Sequence, residues 1–239
     1  MAFKQGNLAT RLVLSLIFTL LLLGSSTAHA QSVSGGELAM VGEFYAESVS
    51  AKSGEVWLGL YRVGDEYELR NTTLVVNERR SERMVTDFKK VQTDQPSEPL
   101  FLVRGLEELK PGKVETIIHD GEFIFPGHMK RLRHSRFYFT LAAVGEGIER
   151  RPFEVAISKY KLMLWADRRS QTLVESVRGF DDAYPRVIWA GDLDRDGEID
   201  LFMDTARHYQ SIDYTLFLSS AAKDEEIVGQ VARWRSYSD

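Results

Sequence analysis

Residues 191–200 read Gly-Asp-Leu-Asp-Arg-Asp-Gly-Glu-Ile-Asp. Carboxylates packed this densely repel one another unless protons or a cation intervene. Alternation lets a tight loop aim every second side chain inward, and carboxylate oxygens are the donors that hard divalent cations take. Counted from Asp192, the aspartates 192, 194, 196 and 200 stand at loop positions 1, 3, 5 and 9, with Gly197 at 6 and Glu198 at 7. The glycine permits the sharp turn that brings the Glu198 main-chain carbonyl to the same centre. The predicted ligands are therefore Asp192, Asp194, Asp196, Asp200 and the carbonyl of Glu198. The predicted ion is calcium, which takes six to eight oxygens at about 2.3–2.6 Å. The competing reading is a solvated acidic turn without metal.

Such a loop needs rigid flanks. Val187, Ile188 and Trp189 form an apolar run before it, and Ile199, Leu201 and Met203 alternate after it. Both flanks read as strands. Loop and flanks together resemble the calcium loops of FG-GAP and VCBS repeats, also found in integrin β-propellers, in which Asp-x-Asp-x-Asp-Gly-x-x-Asp joins two strands. The resemblance covers about 20 of the 239 residues. It implies a calcium ligand set at Asp192, Asp194, Asp196, Glu198 and Asp200. An EF-hand is the weaker match, because position 12, where a bidentate Glu belongs, is Met203. Propellers carry several such loops and this chain carries one, so a propeller is not expected. The longer string, from the loop on through Tyr214–Ala222, looks like the C-terminal part of exported bacterial proteins, a similarity that supplies no activity.

Other constellations are weaker. His119, His128 and His134 would need two strands to bring them together as a zinc site; surface or hydrogen-bonded histidines are the plainer reading. No nucleophile elbow, P-loop or dinucleotide fingerprint occurs. Asp181, Asp182 and the many glutamates leave a glycosidase pair open, since carboxylate separation decides that chemistry. Lys130 to Arg136 is a basic run entering Phe137-Tyr138-Phe139. It would either hold an anionic polymer, such as an acidic glycan or an envelope component, or guard an edge strand against aggregation. Asn71-Thr72-Thr73 matches the glycosylation sequon.

The N-terminus reads as an export signal. Lys4 and Arg11 precede the apolar stretch Leu12–Leu23, and Ala28-His29-Ala30 offers a small-x-small cleavage site. Residues 1–30 are thus expected to be removed, 31–36 to form a flexible start, and 37–239 to form a β-rich domain. The apolar stretch is short of the roughly 20 residues of a membrane span, so no span is expected after cleavage. A formal charge of −5 gives no pull toward nucleic acid. The chain has no cysteine, which excludes thiol nucleophiles and cysteine metal sites and leaves the core, or an ion, to hold an exported domain together.

The dominant period along the chain is two. It runs through Val56–Leu60, Tyr67–Leu69, Val114–Ile118, Phe123–Phe125, Phe137–Leu141, Phe153–Ile157 and Tyr160–Leu164. Asp120-Gly121 reads as a hairpin turn. The expected fold is all-β, a sandwich or irregular barrel of antiparallel strands. Asn77–Pro99 is polar and reads as a long loop with room for a short helix. Ile227, Val228, Val231 and Trp234 share one helical face, which predicts a C-terminal α-helix over about 221–235 with Ser219 or Ser220 as its cap. The expected protein is periplasmic or secreted, binds calcium, and has a binding or structural role. The alternative is an exported hydrolase of glycans or esters with a structural calcium.

Overall fold

The computed structural model describes residues 35–80, 87–118, 121–134, 137–151, 154–166, 168–180 and 183–237. The expected signal peptide, most of the expected flexible start, His119, Asp120, Phe153, Asp181 and Asp182 lie outside them. Among the described residues, no helix is long and apolar enough to cross a membrane.

The chain is all-β. Its strands in order are β1 (Glu37–Ala39), β2 (Gly42–Tyr45), β3 (Val56–Val63), β4 (Glu66–Arg80), β5 (Asp87–Thr93), β6 (Leu102–Arg104), β7 (Gly112–Ile118), β8 (Glu122–Phe123), β9 (Met129–His134), β10 (Phe137–Arg151), β11 (Glu154–Ala166), β12 (Arg169–Ser176), β13 (Arg186–Asp192), β14 (Asp200–Asp204), β15 (Ser211–Leu218) and β16 (Gly229–Tyr237). The larger sheet runs β1-β6-β3-β4-β7-β13-β14-β15-β16, with β2 and β5 attached beside β4 and β8 beside β13. Its two ends nearly close. Trp234 on β16 donates its indole N–H to the Ser48 carbonyl at 3.0 Å and meets the Phe44 ring edge-on at 4.7 Å. The smaller sheet is β12-β11-β10-β9.

Of three buried clusters among the described residues, two flank β13 and β14. Inside the larger sheet lie Leu60, Leu69, Phe101, Trp189, Phe202, Leu216, Val231 and Trp234. Between the larger sheet and the smaller one lie Leu132, Leu141, Leu162, Leu164, Val187, Leu201, Met203 and Phe217. Strands β13 and β14 separate the two cores and are apolar on both faces, which is why Val187-Ile188-Trp189 and Leu201-Phe202-Met203 read as continuous apolar runs.

Three sequence expectations are corrected. The C-terminal α-helix is a strand: Ser219–Ala221 is a single 3₁₀ turn, and β16 pairs antiparallel with β15. A register shift between Leu216 and Phe217 skips Val231, so Val231 and Ala232 are both buried before strict alternation resumes through Trp234. That extra residue gives the apolar positions the spacing of a helix face. The polar stretch from Asn77 is not a loop at its start. It continues β4, which pairs with β5 from Leu74↔Thr93 to Arg80↔Asp87. Most of its side chains face water, and a ladder needs no apolar face to form its backbone bonds. The third is the hairpin expected at Asp120-Gly121: the described strands on either side, β7 and β8, do not pair with each other. Strands β7 and β8 pair along the same edge of β13, one continuing the line of the other.

The segments around Ile157 and Tyr160 belong to one strand, β11. Lys159 has φ of 51°, at a shift where Val144↔Lys161 gives way to Glu146↔Ser158. The bulge flips parity, so Ile157 and Tyr160 both point into the core.

Candidate metal centre

Asp192 ends β13 and Asp200 begins β14, and Gly191 pairs with Asp200 across the ladder. The nine residues 192–200 are therefore a hairpin connection. Two apolar residues seat it: Leu193 in the core inside the larger sheet, and Ile199 in the core between the sheets. Arg195 at φ 67° and Gly197 at φ 91° turn the chain back. Gly191 sits where β13 presses on β7: a Cβ there would stand 2.0 Å from the Glu115 carbonyl oxygen.

One carboxylate oxygen from each of Asp192, Asp194 and Asp200 lies within 4.8 Å of the others. Asp200 is fully buried at 0% exposure. One of its oxygens accepts the amide of Leu193 at 2.6 Å, and the other accepts the amide of Ser219 at 2.8 Å. Gly197 N–H donates to Asp192 at 3.1 Å. Asp196 stands at the rim. It accepts from Glu198 N–H at 2.8 Å and from Ser219 Oγ at 2.8 Å, and it is not one of the three clustered groups. Ser220 Oγ donates to Asp194.

Electrostatics are unfavourable as drawn. Burial holds the Asp200 carboxyl well above the ordinary range, with the Asp194 charge adding to it. Asp192 and Asp194 are also raised, first by burial and then by neighbouring aspartate charge. Arg195 gives no relief. Its guanidinium turns away to the carbonyls of Lys110 and Lys113, at 2.7 and 2.9 Å. Among the described residues, no lysine or arginine pairs with any of the four aspartates.

Several contributors were not legible in the sequence. Ser219 and Ser220, expected as helix caps, cap carboxylates instead. His134 on β9 is 1% exposed. Its Nε2 is 3.6 Å from Asp192 and its Nδ1 3.2 Å from Glu115, both without hydrogen-bond geometry. The second oxygen of Asp192 is likewise buried and unpartnered. The alternation of Leu132 and His134 on the inward side of a basic strand was the available signal for the histidine. The three-histidine zinc reading gains nothing: His134 is buried, His128 is exposed against the Phe125 ring, and His119 is outside the described residues.

The residues present fit a hard cation. The donors are carboxylate oxygens, one of them buried without a partner, at a spacing one ion can bridge. Position 12, Met203, is fully buried in β14 and donates nothing.

No protein-family model matches this chain, and neither a curated protein nor a solved structure matches it.

Proposed function

We propose that this is an exported calcium-binding protein in which one ion, held by Asp192, Asp194, Asp196, Asp200 and the Glu198 carbonyl, fastens the β13–β14 hairpin. The resemblance to FG-GAP and VCBS loops, in a single copy on an irregular barrel, is part of this reading. The observation that carries it is the carboxylate trio, two of its members buried, with no lysine or arginine partner among the described residues and only His134 near Asp192. The ion's role is structural, because the loop joins strands that separate two cores. The protein works in the periplasm or outside the cell, in binding or envelope structure.

A hydrolase would want perturbed acids in a cleft. Three aspartates with raised carboxyls gather at the hairpin instead, and another, Asp204, is raised by burial at the far end of β14. A depression of about 190 Å³ beside β3 and β6 is mainly apolar, and its Arg104 is held by Glu37 and Glu55 at 2.8 Å each. Calorimetry on metal-stripped protein tests the proposal. One calcium should bind per chain, with a dissociation constant on the order of 10⁻⁴ to 10⁻³ M. No heat up to tens of millimolar would leave only an acidic turn.

A further inference from the structure

We infer that the outward face of the smaller sheet is a binding trough for an acidic oligosaccharide. This deepens the binding role proposed above and does not depend on the ion.

Pairing in that sheet fixes which side chains share the face. Leu132, Phe139, Leu141, Leu162 and Leu164 point inward to the core. The alternate positions must point outward. One row across the strands is Arg131–Thr140–Trp165–Ser170, and the next is Met129–Ala142–Met163–Thr172; Arg133 faces Tyr138 beside them. The small residues Thr140 and Ala142 run down the middle strand with large ones on either side. The result is a depression of about 530 Å³ lined by Met129, Tyr138, Thr140, Ala142 and Trp165.

The exposure of that lining needs an explanation. Met129 is 63% exposed, Tyr138 62% and Trp165 47%. Contiguous exposed apolar surface of this kind marks an interaction site. Its chemistry selects the partner. Flat aromatic faces in a shallow groove suit the C–H faces of sugar rings. Arg131 and Arg133 stand along one wall, and among the described residues neither pairs with a carboxylate. Arg133 instead lies over the Tyr138 ring at 5.7 Å. Acids on this sheet are taken by lysines: Glu175 by Lys161 at 3.0 Å and Glu146 by Lys159 at 2.8 Å. A guanidinium fork matches carboxylate or sulfate in two parallel hydrogen bonds. The trough's volume falls in the range of small-molecule sites, about 300–1,000 Å³. A concave groove of this size, with a threonine and an alanine on its floor, fits a short chain of sugars better than a membrane surface. The basic run of the sequence thereby gains a role: its outward members are the wall, while Leu132 and His134 face the core.

The test is calorimetric titration of the purified exported chain with a heparin-derived hexasaccharide, against neutral maltohexaose. The acidic sugar should bind and the neutral one should bind about tenfold more weakly or not at all, since charge-assisted hydrogen bonds are lost. Trp165→Ala, and Arg131→Ala with Arg133→Ala, should each weaken binding about tenfold or more at unchanged melting temperature. Ala142→Trp, which fills the trough without touching the core, should weaken it as well. Equal affinity in wild type and Trp165→Ala, or no binding at millimolar sugar, overturns the assignment. So does attachment to phosphatidylglycerol vesicles that the hexasaccharide fails to displace, or a dimer that Trp165→Ala dissociates. Calcium binding measured on the same preparation keeps the two proposals separate. Sugar binding that persists in EGTA, with no calcium heat, sinks the metal reading alone.

Discussion

Removing calcium should visibly destabilise this protein, and the size of the effect can be worked from the loop. At an effective dielectric of about 20, two unit charges 4.8 Å apart repel by about 3.5 kcal/mol, and the three aspartates lie no farther apart than that. Three such pairs approach about 10 kcal/mol, comparable to the whole net stability of a domain, about 5–15 kcal/mol. The amide and serine donors offset part of this. The rest is met by protons or by a cation. With a dissociation constant of about 10⁻⁴ to 10⁻³ M, 10 mM calcium adds about 1.4–2.7 kcal/mol by mass action. For a domain of this size, each kcal/mol moves the melting temperature by about 2–4 °C. Thermal unfolding at pH 7.5 should therefore rise by about 3–11 °C between EGTA and 10 mM calcium. Asp194→Ala should abolish the increment, because a clustered charge goes and no described neighbour replaces it. Identical melting in EGTA and calcium would refute the reasoning.

Further expectations concern the same hairpin. Glu198→Ala should bind calcium nearly as well as wild type by calorimetry, because the proposed contact is its main-chain carbonyl; a loss as large as that of Asp194→Ala would mean the geometry is misassigned. In metal-free protein, the raised carboxyls of Asp192, Asp194 and Asp200 hold protons in the folded state that the unfolded chain has released. Stability from these groups must then grow as pH falls from neutrality toward the unfolded value of about 3.9, while calcium affinity declines. The difference in melting temperature between wild type and Asp200→Asn across a pH series reads this, and a flat difference counts against it. Gly191→Ala should cost about 1–3 kcal/mol or more in urea unfolding, since its Cβ would stand 2.0 Å from the Glu115 carbonyl oxygen and 2.6 Å from the Trp189 ring; an unchanged midpoint would show that β7 gives way.

Alternation made the strands legible because most of them are buried on one face only. It misled where strands depart from that condition. β4 extends into water on both sides beyond Val76, so polarity passed for a loop. β16 carries an extra residue opposite Leu216–Phe217, so a strand passed for a helix. The clustering of Asp192, Asp194 and Asp200 was legible because they lie within nine residues. Ser219, Ser220, His134 and Glu115 reach the loop from other strands or the turn after β15, and nothing local to any of them announces the meeting. The trough was half legible: the basic run was visible, but only strand pairing puts Trp165 opposite Thr140 on the face that Arg131 shares.

The disposition of Arg195 bears on the proposal that an ion is held here. It stands between Asp194 and Asp196 in sequence, the natural place for a cation that would neutralise them. Instead its side chain spans outward to two carbonyls ahead of and within β7, so its charge is used to fix the loop to the neighbouring strand. Asp200 and Asp194 are left to hydroxyls and amides, which orient carboxylates but bring no net charge. Burial by Leu193 and Ile199 then removes the water that would otherwise screen them. A loop that only needed to turn would not bury an aspartate completely between two cores while directing its own arginine elsewhere. That combination makes sense if the missing positive charge arrives from solution as an ion. The hairpin that separates the two cores then becomes the part of the fold most sensitive to whether the ion is bound.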